Sequence, residues 1–414
     1  MNLLKISSGR LFRHLPLYKA CIAGALVHSA SLRAQDALID LPSIPTGFSS
    51  ASSIYAAPRP ELKKGPTLAL NLASTYDSNV TQSSGRPGDP VDSDFIISPG
   101  LIASYLIGSS EWLLGTTFAG SYDNYLDSSD LSGPNYDLTA FGGYRGGKLI
   151  ASFSSGFGFH QGINRYLNAN VEQYQISNRA IARYNFSPKT AVVGSISQSS
   201  VFYQTDGFND TSSFNAGVGL LWSATPLIDL GPGIRYGLRT QENTDDLVTI
   251  GPNMKVNYQL SEKVSLRSTL GLDFTDSEGV DNDTLVNWSF ALNYKANSLW
   301  SLNLALLRDT QANPGSGGGF DEVTLYRMGY VRNIRRARLN LGVGLESRTA
   351  EGFTTASSVN DSFDYLTYDA SLSMPIYKEN LDATLSVRYR DQSSDDPDNS
   401  WDGVQTGLGL SWKF

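Results

Sequence analysis

Arginine is the residue best placed to do chemistry in this chain, and it recurs at even spacings. Arg179 and Arg183, Arg235 and Arg239, and Arg388 and Arg390 stand four or two positions apart. In an extended chain those spacings put both guanidinium groups on one face. Gln173, Gln175, Lys255, Arg267, Arg338 and Arg348 fall on faces of the same kind, alternating with apolar residues. Fixed cations on a low-dielectric wall focus the local field and draw anions. The plainer alternative is that each arginine pairs with a carboxylate on a neighbouring strand and holds a wall together. Sequence alone leaves both open.

Catalysis has little to draw on. Of three histidines, His14 and His28 lie in a segment that reads as a leader, and His160 stands at a strand end as a loop anchor. No GxSxG elbow occurs in an α/β context. The GSGGG run at 315–319 lacks the lysine and helix of a phosphate loop. The acidic run DQSSDDPD at 391–398 reads as a solvated, self-repelling loop, with loose calcium binding as the alternative. The one cysteine, Cys21, also falls in the leader, which removes disulfides and cysteine metal sites from the rest. The expectation is no enzyme, no cofactor and no metal.

What must carry the cations is a set of strands. In 402–414, Val404, Thr406, Leu408, Leu410, Trp412 and Phe414 share one face, opposite glycine, glutamine, serine and lysine. That is period two. The pattern recurs at about eighteen places: 66–77, 94–107, 111–125, 135–146, 148–161, 169–186, 189–204, 211–224, 226–240, 246–260, 263–276, 283–296, 298–310, 320–334, 336–349, 361–375, 379–391 and 402–414. In 189–204 and 320–334 both faces are mixed and no face can be assigned. Most segments are long enough for a tilted strand to cross hydrocarbon, which takes about 9 to 11 residues.

Composition agrees. The 414 residues include 39 glycines, 21 tyrosines and 18 phenylalanines, and mean hydropathy is -0.22. No apolar run of about 20 residues exists for a membrane helix. A net charge of -8 and a pI near 5.0 argue against nucleic acid as a partner. Residues 1–34 read as a signal peptide, with Lys5, Arg10, Arg13 and Lys19 before the short apolar core Ala20–Val27 and cleavage after Ala34. Residues 35–64, rich in serine, proline and alanine, read as a periplasmic linker. Residues 65–414 are the strand-bearing part.

The connections alternate in length. IGSS, RGGK, FSPK, SATP, LSEK and KANS are short, whereas LDSSDLSGP, QTDGFNDTS and TAEGFTTASSVND are long and rich in Asp, Asn, Ser and Gly. A wall whose two ends face different compartments sorts its connections this way. Tryptophan and tyrosine near segment ends, among them Trp112, Tyr184, Trp300 and Trp412, suit headgroup depth. The expected fold is all-β: a single closed antiparallel transmembrane β-barrel of about 18 strands, an up-and-down meander. Both termini would be periplasmic and the last strand would pair with the first. Loops 78–93 and 392–401 are the plug candidates. No strand shows an obviously different outer face, so a monomer is expected.

Tyr76, Asp77, Ser78, Asn79 and Val80, ending the segment TLALNLASTYDSNV, resemble the opening motif of a family of Gram-negative outer-membrane β-barrel porins of the second type. YNFSPKTAVVGSI and YQLSEKVSLRSTLGLDF turn as that family does. The similarity is diffuse over about 65–414. It implies an outer-membrane channel passing hydrophilic solutes, with outer-membrane exopolysaccharide export as the alternative seen in relatives. It also implies insertion machinery that reads the terminal Phe414, contact with lipid and lipopolysaccharide, and a polysaccharide or anionic solute as passenger. No catalytic residue comes with it.

Overall fold

A computed structural model of the chain describes residues 64–86, 91–164, 169–242, 244–277, 284–312, 320–350, 362–377 and 380–414. The proposed leader and most of the lead-in, residues 1–63, lie outside these. Eighteen strands follow one another: β1 (Gly65–Asp77), β2 (Asp94–Gly108), β3 (Trp112–Tyr125), β4 (Gly133–Arg145), β5 (Leu149–Asn164), β6 (Ala169–Ser187), β7 (Thr190–Tyr203), β8 (Thr211–Ser223), β9 (Ile228–Gln241), β10 (Leu247–Gln259), β11 (Val264–Ser277), β12 (Thr284–Lys295), β13 (Trp300–Ala312), β14 (Phe320–Ile334), β15 (Ala337–Ala350), β16 (Phe363–Tyr377), β17 (Leu381–Ser394) and β18 (Trp401–Lys413). Each pairs antiparallel with the next, and β18 pairs back onto β1 from Ala69↔Lys413 to Asp77↔Gln405. The sheet therefore closes and has no edge.

The faces are inverted relative to a water-soluble sheet. On β1, Leu68, Leu70 and Leu72 point outward and are 39%, 46% and 50% exposed, while inward Ala69 and Thr75 are 1% and 0% exposed. Leucine rows of this kind occur on strand after strand, so the outer face suits hydrocarbon rather than water. Aromatic contacts mark both borders of the apolar band. Tyr76 meets Phe95 and Phe159 meets Tyr174 at the long-loop end; Tyr294 meets Trp300 and Trp412 stacks on Phe414 at the other. Among the described residues no helix is long and apolar enough to cross a membrane.

Each strand edge lies within about three residues of its sequence-derived position. The connection between β5 and β6 is an exception to the loop reading: the strands run on to Asn164 and back from Ala169, leaving four residues between them. The ambiguous segment 320–334 resolves with Asp321, Val323, Leu325, Arg327 and Gly329 inward, because their partners on β13 are the inward Gln311, Asp309, Leu307, Ala305 and Asn303.

Followed round the wall, the pairings return to β1 displaced by about 22 residues, which tilts the strands by about 40° and would give a round wall a radius of about 17 Å. The wall is not round. Strands four apart on that circle would stand about 22 Å apart, yet Cα atoms of β13 come within 8 Å of those of β8 and β9. The arc from β9 to β13 is drawn in toward itself. Gly233, on the inward face there, sits tightly between its own neighbours: a Cβ on it would lie 2.7 Å from the Val218 carbonyl oxygen on β8 and 2.9 Å from Asn253 Oδ1 on β10.

Candidate functional site

The site is the inside of the wall and its mouth. Strand parity places all twelve singled-out residues on the inward face: Gln173, Gln175, Arg179 and Arg183 on β6; Arg235 and Arg239 on β9; Lys255 on β10; Arg267 on β11; Arg338 and Arg348 on β15; and Arg388 and Arg390 on β17. They do not form one group. Several are tied into the wall, and Arg183, Lys255 and Arg338 face the lumen with no salt bridge among the described residues.

The largest tied cluster bends the wall inward. Arg235 binds Asp273 on β11 and Asp309 on β13, the latter at 3.0 Å. Arg239 lies 3.7 Å from Asp309 and donates from Nε to the Thr310 carbonyl at 3.2 Å. Two cations from β9 thus hold a carboxylate and a backbone oxygen from a strand four places away. Leu307, Val323 and Leu325, all inward and at most 4% exposed, give this region an apolar filling. A clamp of buried charges is tolerated because each guanidinium meets a carboxylate; left alone, either would carry a heavy desolvation cost.

Two further clusters sit near the long-loop end. Arg348 bonds Asp321 at 3.2 Å, Glu346 at 3.1 Å and Gln311 at 2.7 Å. Arg390 bonds both oxygens of Asp77 at 2.7 and 2.9 Å and lies under the Trp401 ring. Arg388, its same-face neighbour, pairs with Asp369 instead. The like charges at 388 and 390 are therefore separately neutralised, which supports the wall-holding alternative for this pair. Lys413 closes the short-turn end by a 2.6 Å bond to Asp382.

The remaining cations are more open to the lumen. Arg183 bonds a neutral partner, donating from Nε to Asn185 Oδ1 at 2.9 Å. Arg179 and Arg267 are half-buried and Arg338 is exposed. Lys255, half-buried, and Arg338 have no ion pair or side-chain hydrogen bond among the described residues. Gln175 is half-buried; Gln173 is fully buried, and neither of its amide atoms is hydrogen-bonded. Acidic partners are concentrated toward the long-loop end, at Asp77, Asp309, Asp321 and Glu346, so cations dominate the inner wall nearer the short turns.

The mouth is shaped by the motif at 76–80. Tyr76 points outward to Phe95. Asp77 points inward, where it holds Arg390 and accepts from Gln405 at 2.6 Å. Ser78 extends the seam: its N–H reaches the Val404 carbonyl at 3.0 Å, and its hydroxyl accepts from the Val404 N–H at 2.8 Å. Asn79 then turns the chain, donating to the Ser83 and Asp402 carbonyls at 2.9 Å each. Val80 drops into a buried cluster with Ile96, Tyr125, Leu131 and Ile163. Asp94 supports this lining by accepting from the N–H groups of Leu126, Asp127 and Ser128 at 2.8 to 3.1 Å. In the sequence the motif is a resemblance only; its role at the seam follows from contacts over 300 positions away.

Of the first plug candidate, 78–93, residues 87–90 lie outside the described residues; within 78–86, Asn79, Val80, Gln82 and Ser83 are all 4% exposed or less and line the mouth. In the second candidate, 392–401, Gln392 and Trp401 are buried at the strand ends, but residues 395–400 stay at the rim. They form a tight turn at the rim around Pro397–Asn399, with Asp396 Oδ1 accepting from the Asp398 N–H, and none of the three turn residues is buried. The aspartates of that run do local work: Asp391 accepts from the Tyr389 hydroxyl and Asp398 pairs with Arg86. Among the described residues no group of three or more His, Cys, Asp or Glu is gathered for a metal ion. His160 faces inward, 3.3 Å from Asp137; Gly158 leaves room for that contact, since a Cβ there would lie 2.8 Å from both groups.

No protein-family model matches the chain, and no curated protein matches it by sequence. Solved structures share its outline. The outer membrane protein OpdK of Pseudomonas aeruginosa is 13% identical, with 84% of this chain and 98% of that chain covered and a TM-score of 0.42. OccAB3 of Acinetobacter baumannii is 13% identical, covering 84% and 99%, with a TM-score of 0.43. The siderophore receptor PirA of Pseudomonas aeruginosa is 10% identical, covering 85% and 81%, with a TM-score of 0.42. Likeness at this level carries no functional assignment.

Proposed function

We propose that the chain is an outer-membrane channel for hydrophilic solutes, with anions favoured. The observation that carries this is a closed wall whose outer face is apolar and whose inner face is polar. Its cations Arg183, Lys255 and Arg338 face the lumen with no ion pair among the described residues, outside the clusters in which carboxylates neutralise other arginines. Passage would be diffusive, narrowed by the clamp at β9–β13 and by residues 78–86 at the mouth. Residues 1–34 would direct export and be removed, and 35–64 would lead into the barrel from the periplasm. Phe414 would be read by the insertion machinery, and both termini would stay on the periplasmic side.

A second reading, export of an acidic polysaccharide, draws on the repetition of amides and cations along neighbouring strands. Lys255 and Asn257 on β10 face Thr269 and Arg267 on β11, with Asn253 next along the same face, a run that suits a repeating chain of hydroxyls and carboxylates.

The test is conductance in planar bilayers under a salt gradient. The expected result is an open channel whose reversal potential favours anions, and whose preference falls or inverts when Lys255→Glu and Arg338→Glu are combined. A folded protein that passes no current overturns the channel reading. Unchanged selectivity in that variant overturns the anion preference.

A further inference from the structure

The outer face of the wall is not uniform. On β1, β11 and β18 it presents leucine, tryptophan and phenylalanine to the membrane. On β5–β8 a chain of hydrogen bonds runs across it instead. The Ser155 hydroxyl donates to Asn178 Oδ1 at 2.8 Å, and Asn178 Nδ2 donates to Gln198 Oε1 at 2.6 Å. Gln198 Nε2 donates to the Ser200 hydroxyl at 2.5 Å, which in turn lies 2.8 Å from the Ser212 hydroxyl. Ser155 sits between outward Phe153 and Phe157, 49% and 38% exposed. On β6, Tyr174 and Tyr184 bracket Asn178; ten residues of strand tilted by about 40° span about 25 Å, the height of an apolar band. The amides therefore lie inside the hydrocarbon depth, not at its borders.

Directly beside this chain, toward the short turns, the same strands carry Ala151, Ala180, Ala182, Gly194 and Ala216. They floor an open concavity of about 880 Å³, with Trp112, Tyr144, Phe153 and Ile234 on its rim. Hydrocarbon gives amides nothing to bond, and each N–H or C=O left over costs several kcal/mol by general estimate. Small residues let a second protein surface approach closely, and Ser, Asn and Gln bond across such contacts. Both features fall on one arc of the wall.

We propose that this arc is the contact between copies of this chain in the membrane. The inference rests on the outer face being lipid-facing, as the channel reading requires. A second copy is the occupant that fits, because serine, asparagine and glutamine each supply both donor and acceptor, so the hydrogen-bonded chain complements its own image. An anionic lipid headgroup finds no cation among these residues. On this proposal the chain is not the monomer that the sequence leads one to expect.

The test places single cysteines in a Cys21→Ser background and treats native membranes with a bifunctional maleimide. Ser155→Cys is expected to yield a product of twice the chain mass, and Leu272→Cys, outward on β11, to yield none. Adding Asn178→Leu and Gln198→Leu is expected to abolish the Ser155→Cys product while single-channel conductance persists. No product, equal products at both positions, or a product with a protein of another mass overturns the contact. Recovery of the chain in the soluble fraction without detergent overturns the membrane reading instead, so the two failures are told apart.

Discussion

Arg390 donates to both carboxylate oxygens of Asp77 although the two residues are 313 positions apart. The bond ties the first strand to the penultimate one, with β18 between them contributing Gln405 to the same carboxylate. Both side chains are nearly fully buried. Closing a barrel requires the chain's two ends to find each other, and this contact forms only when they do.

Removing one partner leaves the other as a buried, uncompensated charge, which costs about 3–5 kcal/mol. Arg390→Met or Asp77→Asn is therefore expected to lower the unfolding midpoint in denaturant, followed by tryptophan fluorescence in lipid micelles. The double variant should recover part of the loss. Full additivity of the two single effects would show that the pair does not act as a unit.

Val80 holds residues 78–86 in the mouth by burial against Ile96, Tyr125, Leu131 and Ile163. Val80→Asp places a charge in that cluster and should release the segment. Single-channel conductance is expected to rise, while heat-modifiable migration on gels stays that of a folded barrel. Unchanged conductance would mean that the mouth segment does not limit flow.

Asp309 accepts from Arg235 and lies within ion-pair distance of Arg239. Asp309→Asn leaves the two guanidinium groups with less than their share of negative charge and weakens the inward bend of β9–β13. Larger conductance and a stronger anion preference are the expected readings in planar bilayers. A smaller conductance would show that the clamp holds the channel open.

At the other end, the Phe414 N–H donates to the Leu68 carbonyl at 2.9 Å, and its ring stacks on Trp412. Deleting Phe414 removes one seam bond and one anchor at the band's border. The folded fraction recovered from membranes should fall, measured by resistance to added protease. Full recovery would free this residue from any part in assembly.

The strands, their order and their inward faces were legible in the sequence because each is a local property. Period two fixes which side chains share a face, and alternating connection lengths fix the ends. Val404 through Phe414 alone announces an outward apolar row. Where the faces were mixed, as at 320–334, local pattern ran out, and only pairing with β13 decided that Arg327 points inward.

What tertiary structure decided is which charge meets which. The sequence places Arg235 and Arg239 on one face but says nothing of Asp309, because a bond across four strands depends on the curvature of the wall, and curvature is a sum of many registers. The same holds for Asp77 and Arg390, brought together by closure alone, and for Ser155, Asn178 and Gln198. Each of those three reads singly as an ordinary polar residue in an alternating strand, and only the sheet lines them up into one hydrogen-bonded row at hydrocarbon depth.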